Sequence, residues 1–291
     1  MFKSLSKLRK GNILIDSGLS IAVPYNNLRT QGDRHVDHLR LSEFWHNAWY
    51  RYVANCPEAG KVRHLLEKKE QKRPAIDHVA VRTFDLPNIN KSCVGGLFER
   101  HGYLRIPKTL QCPDQPITAD YFIHPDAHQP KVIVSELSVE QMPGPLRDWI
   151  RQATAGSRVD NLNSLLRPIW APVDYKNYAK FCATSAYAVW VAAFGLQINH
   201  FAYLINPLEH FENPSQIDQW LKNNDLLLGT KISQDRLKLD FLSTTRISKL
   251  QSFSDGQYVV PGCSLGFVKR YPLYTHSSSP LFDGFLDKNI Q

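Results

Sequence analysis

Apolar positions recur at helical spacing between residues 41 and 55, where Phe44, Trp45, Ala48, Trp49 and Tyr52 gather on one side behind Ser42, a residue suited to capping a helix start. The pattern predicts a helix with an aromatic face. A charged helix follows from about Glu58 to Lys72, ended by Pro74. The periodicity then shortens to that of a strand in Asp77-His78-Val79-Ala80-Val81-Arg82-Thr83. Next come a helix from about Lys91 to His101, closed by Gly102, and extended stretches over 117–123 and 131–137, with room for another strand near 103–107. The middle, 142–196, reads as mostly helical, with Val173 to Phe194 as its longest candidate and Gly195 as its end. A strand over 196–204, a helix over 215–223 and extended stretches over 247–253, 257–260 and 263–270 complete the chain.

The order strand, helix, strand, strand thus occurs twice. Asp77-His78-Val79-Ala80 and Asn199-His200-Phe201-Ala202 open the two units with the same pattern of acid or amide, histidine, apolar residue and alanine, 122 residues apart from histidine to histidine. Alternation along a strand puts His78, Ala80 and Arg82 on one face, and His200, Ala202 and Leu204 on one face. Two such units paired about a pseudo-twofold axis bring the histidines to one cavity, and a shared metal is the natural use of that convergence.

Composition narrows the class. With 43% apolar, 21% charged and 11% aromatic residues in 291, the chain is globular and long enough for a full core, which excludes disorder, collagen and coiled coil. Its longest apolar stretch, Ala183 to Ile198, is interrupted and shorter than the roughly 18 residues of a membrane span. The basic N-terminus lacks the apolar segment of a secretion signal, and five scattered cysteines without a C-x-x-C form neither a disulfide framework nor a cysteine zinc site. A cytoplasmic protein is expected. Net charge is +8, concentrated in residues 1–73 with 14 basic against 7 acidic residues. Its densest run, Lys68-Lys69-Glu70-Gln71-Lys72-Arg73, lacks interleaved aromatics and reads as a solvated helix end rather than a nucleic-acid surface.

Imidazoles suit Fe(II), Zn(II) or Mn(II), and two histidines with one carboxylate on one face make the arrangement of non-haem iron oxygenases. A carboxylate is therefore required. His124 and His128 are separated by Pro125 and read as a turn, and no cysteine has a sequence setting that argues for nucleophilic chemistry.

On these residues the chain resembles the 2-oxoadipate dioxygenase/decarboxylase family, similar in fold to the vicinal-oxygen-chelate enzymes. The carriers, from about Ile76 onward, are 77–84, Pro130-Lys131-Val132-Ile133-Val134-Ser135-Glu136-Leu137, Ser185-Ala186-Tyr187-Ala188-Val189-Trp190, Asn199-His200-Phe201 and Val260-Pro261-Gly262. The resemblance implies Fe(II) held by His78 and His200, Arg82 as the clamp on a substrate carboxylate, and a 2-oxo acid and O2 as reactants, with 2-oxoadipate giving 2-hydroxyglutarate. One departure stands out. Where the family carries its third iron ligand, a glutamate, this chain has Gly266 within Cys263-Ser264-Leu265-Gly266-Phe267. Glu136, 58 residues after His78 as Gly266 is 66 after His200, is the substitute offered by the repeat, either as a ligand or as a supporting carboxylate.

The expected architecture is α+β: two β-α-β-β(-β) vicinal-oxygen-chelate-like modules forming a curved mixed sheet around a central cavity, with flanking helices. Residues 1–74 form a basic helical N-terminal segment, 75–140 the first module, 141–195 a helical insert and 196–291 the second module and tail, all in one domain. The expected function is a non-haem Fe(II)-dependent dioxygenase/decarboxylase acting on a 2-oxo acid. The alternatives are a catalytically lapsed small-acid-binding protein, or a Zn or Mn lyase or hydrolase on the same scaffold. No membrane or nucleic-acid partner is expected.

Overall fold

The computed structural model describes residues 13–14, 20–21 and 31–271, apart from 113, 227, 236–238 and 245–246, with side chains from Arg40 onward outside 234–239. The basic decapeptide at the N-terminus and the tail beyond Tyr271 lie outside the described residues. In chain order come β1 (Ile13–Leu14), β2 (Ser20–Ile21), α1 (Gln31–Asn55), α2 (Pro57–Glu70), β3 (Ile76–Phe84) and α3 (Lys91–Glu99). They are followed by β4 (Leu104–Arg105), β5 (Leu110–Gln111), β6 (Ile117–Ile123), β7 (Lys131–Leu137), α4 (Gly144–Ala153), α5 (Tyr175–Cys182) and α6 (Ala186–Phe194). The last are β8 (Ile198–Leu204), α7 (Pro214–Asn223), β9 (Thr230–Asp235), β10 (Leu239–Thr244), β11 (Ser248–Phe253), β12 (Gly256–Pro261) and β13 (Ser264–Arg270).

Nine strands form one mixed sheet in the order β4-β6-β7-β3-β8-β13-β10-β9, with β5 also on β6. The order is symmetric about its centre. β3 runs parallel to β7 and β8 parallel to β13, while β3 and β8 pair antiparallel. β6 lies antiparallel to β7 as β10 does to β13, and β4 antiparallel to β6 as β9 does to β10. Each half is therefore strand, helix, two antiparallel strands and a closing strand parallel to the first, the two-module α+β fold expected from the repeat.

Three details differ from the sequence reading. The second and third strands of the second module are β9, at the sheet edge, and β10, over residues to which the sequence reading assigns no element, whereas 248–261 form a separate two-stranded ribbon, β11 with β12. Charges at Lys231, Asp235 and Asp240 obscure the alternation there, although Asp240 is itself buried. The long middle helix is two helices, because the Ser185 hydroxyl accepts from the Ala188 amide and caps a new start, α6, rather than sitting inside one continuous helix. Ser42 does not start its helix, since α1 begins at Gln31.

Helices cover the sheet through the faces that the strand alternation assigns. On the outer face, Phe201 is fully buried against Trp49 and Tyr52 of α1, with ring centroids at 5.2 and 4.7 Å. Burying such a ring contributes about 1.5–3 kcal/mol. Tyr52 also donates to the Ser264 carbonyl at 2.5 Å, tying α1 to β13. On the inner face, α6 brings Tyr187 and Trp190 over β3, and Trp190 Nε1 donates to the Gly262 carbonyl at 2.8 Å. The five cysteines are free thiols, and among the described residues no helix is long and apolar enough to cross a membrane.

Candidate functional site

The register across the centre of the sheet places the two histidines on one face. Ala80 of β3 stands opposite His200 of β8, which neighbours Ser264 of β13, and one row further His78 stands opposite Ala202, which neighbours Gly266. The imidazoles lie against each other with centroids 5.4 Å apart and planes at 28°. The small Ala80 and Ala202 beside them make room for this approach, and Phe241 of β10 packs against both rings, at 6.0 and 5.8 Å. Both rings are buried, at 0% and 2% exposure.

Each ring is oriented through Nδ1. His78 Nδ1 lies 2.8 Å from Asp77 Oδ2, and His200 Nδ1 lies 2.9 Å from Ser264 Oγ. Burial lowers the pKa of His78 against the pull of Asp77, and the Arg270 and Lys131 charges lower it further. Burial, then His78 and Arg82, hold His200 well below its ordinary value. Both are neutral at pH 7. A neutral His78 facing a carboxylate donates from Nδ1, so its Nε2 is the acceptor nitrogen.

Asp77 ties this centre together. Arg270 reaches it from β13 with both Nε (2.6 Å to Oδ1) and Nη2 (2.8 Å to Oδ2), a bidentate pair in the interior. Lys131 Nζ, from the start of β7, stands 3.4 Å from Oδ1. Burial alone would raise the Asp77 pKa, but the Arg270 charge and then Lys131 hold it well below the usual carboxylate range.

Arg82 lies on the same face of β3 as His78, its guanidinium 5.0 Å from the Tyr187 ring and 5.7 Å from that of Trp190. Asn199, with its amide oriented by its hydrogen bonds, accepts from Arg82 Nε at 3.2 Å and donates to the Ala80 carbonyl at 2.9 Å. The Tyr187 hydroxyl donates to the Ser135 carbonyl at 2.8 Å and accepts from the Thr83 amide at 3.2 Å, which fixes the ring under the guanidinium. The inner face thus carries Arg82 at one end, the histidine pair at the centre, and Asp77 with Arg270 and Lys131 at the other end.

Glu136 is not part of this group. Its register partner on β3 is Thr83, so its side chain leaves the sheet on the opposite face. There its carboxylate accepts from the Lys91 amide at 2.9 Å, at the start of α3, and lies 3.4 Å from Lys91 Nζ. The module counterpart of Gly266 is Ile133, because Gly266 neighbours Ala202 one row beyond His200 and Ile133 neighbours Ala80 one row beyond His78. Glu136 is three positions on, and an odd offset reverses the face.

No family model matches the chain. Two curated plant proteins do: a chloroplastic 2-oxoadipate dioxygenase/decarboxylase of Arabidopsis thaliana, 25% identical over 252 residues, and a chloroplastic/amyloplastic one of Oryza sativa subsp. japonica, 24% identical over 245. The matches cover 79% and 76% of this chain and 67% and 66% of the relatives. The chain is a distant relative of the 2-oxoadipate dioxygenase/decarboxylases. Among solved structures, the rice hydroxyglutarate synthase in complex with 2-oxoadipate superposes with a TM-score of 0.72 at 20% identity, over 83% of this chain and 82% of that one. A Shewanella frigidimarina protein, provisionally called a hydrolase, reaches 0.74 at 28% identity over 84% and 97%. A protein of Ralstonia eutropha described as of the glyoxalase superfamily gives 0.66 at 14% identity over 89% and 92%, a likeness of fold.

Measured against the ligand set that the dioxygenase/decarboxylase resemblance implies, the centre is incomplete. Among the described residues no group of three or more histidine, cysteine, aspartate or glutamate side chains could hold an ion. Gly266 has no donor to offer, Glu136 faces away, and Asp77 is engaged by Arg270 and His78. Arg270 and Lys131 around the Asp77 carboxylate also oppose a dication there. The residues present do not fit an iron held by two histidines and a carboxylate. Asp77, Arg270 and Lys131 were not singled out from the sequence, although all three stand in or beside the quoted motifs; only the register shows that they meet.

Proposed function

We propose that this chain binds a small 2-oxo acid on the inner face of its sheet through Arg82, and that it does so without the dioxygenation and decarboxylation that the names of its relatives state. The carrying observation is the row His78, Ala202, Gly266, in which glycine occupies the position facing the histidine pair. Arg82 supports the acid-binding half of the proposal. It is a buried guanidinium, aligned by Tyr187, Trp190 and Asn199, on the face that holds both histidines. A planar fork fixed in this way suits a carboxylate. The aromatic wall would keep water from the bound acid.

The rival reading retains Fe(II) and O2, with His78 and His200 as ligands, and it is favoured by two neutral imidazoles facing one another at 5.4 Å. Metal content, oxygen uptake and calorimetry on one preparation separate the two. The proposal expects 2-oxoadipate to bind in the presence of EDTA, no iron to be retained after anaerobic Fe(II) loading and desalting, and no O2 uptake. Stoichiometric iron with oxygen consumption on 2-oxoadipate overturns it, and so does the absence of metal-free binding.

A further inference from the structure

The residue before each histidine of the pair holds an arginine, but the two holders differ in charge. Asp77 and Asn199 each stand second in their strand, β3 and β8, and both are buried. Asp77, in the first module, grips Arg270 of the second through two hydrogen bonds, at 2.6 and 2.8 Å. Asn199, in the second module, accepts from Nε of Arg82 of the first at 3.2 Å and is itself aimed by its bond to the Ala80 carbonyl at 2.9 Å. Each clamp thus joins the residue before one histidine to an arginine of the other module. The Asp77 carboxylate offsets the charge of Arg270. The Asn199 amide offers Arg82 an acceptor oxygen with no net charge, so this contact leaves the guanidinium its full positive charge. Arg82 is only 6% exposed, and in so dry a setting an adjacent charge weighs more than it would at the surface.

We infer that Asn199 keeps Arg82 receptive to an acid: it positions the guanidinium without neutralising it, whereas Asp77 makes of Arg270 a fixed strut between β3 and β13. The inference rests on the proposed acid binding at Arg82 and adds to it a positioning residue. Asparagine and aspartate have nearly the same shape and differ in an amide nitrogen against a charged oxygen. An aspartate at 199 would pair with Arg82 as Asp77 pairs with Arg270, and an incoming carboxylate would meet a site whose charge is already cancelled.

The test is calorimetric titration of the EDTA-treated full chain and of its position-199 variants with 2-oxoadipate, each protein also being melted without ligand. Asn199→Asp should weaken binding by about ten- to a hundredfold, the range of one charge-assisted contact. It should still melt within a few degrees of the parent, because the new ion pair offsets the lost bond to the Ala80 carbonyl. Asn199→Ser, neutral and able to keep a hydrogen bond, should stay within a few fold of the parent, and Asn199→Ala, neutral and unable to keep either bond, should fall between the serine and aspartate variants. A purely structural role gives another order, since alanine removes both hydrogen bonds and aspartate only one. An alanine variant that binds as weakly as the aspartate variant, or more weakly, therefore overturns the inference, as does unchanged affinity in Asn199→Asp. An aspartate variant that fails to fold where the alanine variant folds overturns it too, because the pair with Arg82 does not then form. These failures leave acid binding at Arg82 intact, whereas a parent that binds no 2-oxoadipate overturns both.

Discussion

A Cβ atom at position 266 would lie 2.7 Å from Nε2 of His200 and 2.9 Å from its Cε1. Phe241 stands equally close on its other side, at 2.8 Å. The imidazole therefore rests over Gly266 in a place that no other residue leaves open, and the missing side chain and the ring position are one structural fact.

Gly266→Ala is expected to force His200 or Phe241 aside and to cost about 1–3 kcal/mol, the usual range for overpacking a core. For a protein of this size the melting temperature falls by roughly 2–4 °C per kcal/mol. Gly266→Glu costs at least as much, yet it offers the carboxylate that the histidine pair lacks, so added Mn(II) or Fe(II) should raise the melting temperature of this variant and not that of the parent. An alanine variant melting with the parent would contradict the packing of His200 over residue 266.

Arg82→Lys keeps a positive charge but loses the planar fork and its stacking on Tyr187 and Trp190. The affinity for 2-oxoadipate should drop about tenfold or more in a calorimetric titration, with little change in the far-ultraviolet spectrum. Undiminished affinity removes Arg82 from the site.

Asp77→Asn leaves Arg270 and Lys131 without their counter-charge in the interior. Breaking a buried pair from one side costs about 3–5 kcal/mol, so the urea midpoint should fall sharply. A loss below about 1 kcal/mol would show that the pair is not the anchor between β3 and β13 that its geometry describes.

The repeat of an acid or amide before histidine and alanine was enough to place both histidines, because a period of two fixes the face of each neighbour once the strand is known. The partners of those histidines were not legible. Asp77 and Arg270 lie 193 positions apart and meet only because β3 and β13 flank β8. Counting residues between strands points to Glu136, but loop lengths differ between the modules, so a count carries no register. β9 and β10 are not legible because buried Asp240 reads in sequence like a turn residue.

The pH dependence follows from the neutral histidines. His78 and His200 have folded pKa values below the unfolded value of about 6.5. Below that pH the unfolded chain binds protons that the folded chain does not. Their contribution is complete above about pH 6.5 and is lost progressively as pH falls, by up to about 1.4 kcal/mol per pH unit for each. Asp77, whose folded pKa is lowered, acts in a separate window, below about pH 4. Urea denaturation at pH 7.5 and 5.5 should show a loss of about 1–3 kcal/mol. Equal stability at the two values would mean that the rings are not buried as neutral bases.

Glu136 tests the assignment of faces. Its carboxylate holds the first amide of α3 and neighbours Lys91 Nζ, which in turn donates to Thr118 Oγ1 at 2.6 Å, all on the side of the sheet away from His78. An acid at a helix start satisfies an otherwise open donor and meets the positive end of the helix dipole. Glu136→Gln keeps the shape and an acceptor oxygen but removes the charge, so about 1 kcal/mol of stability should go, seen as a few degrees in melting temperature. The affinities for 2-oxoadipate and for divalent metal should stay within twofold of the parent, since the side chain cannot reach the inner face without unpairing β7 from β3. A large loss of either affinity would mean that Glu136 turns inward in solution, and the carboxylate that the histidine pair lacks would then be found.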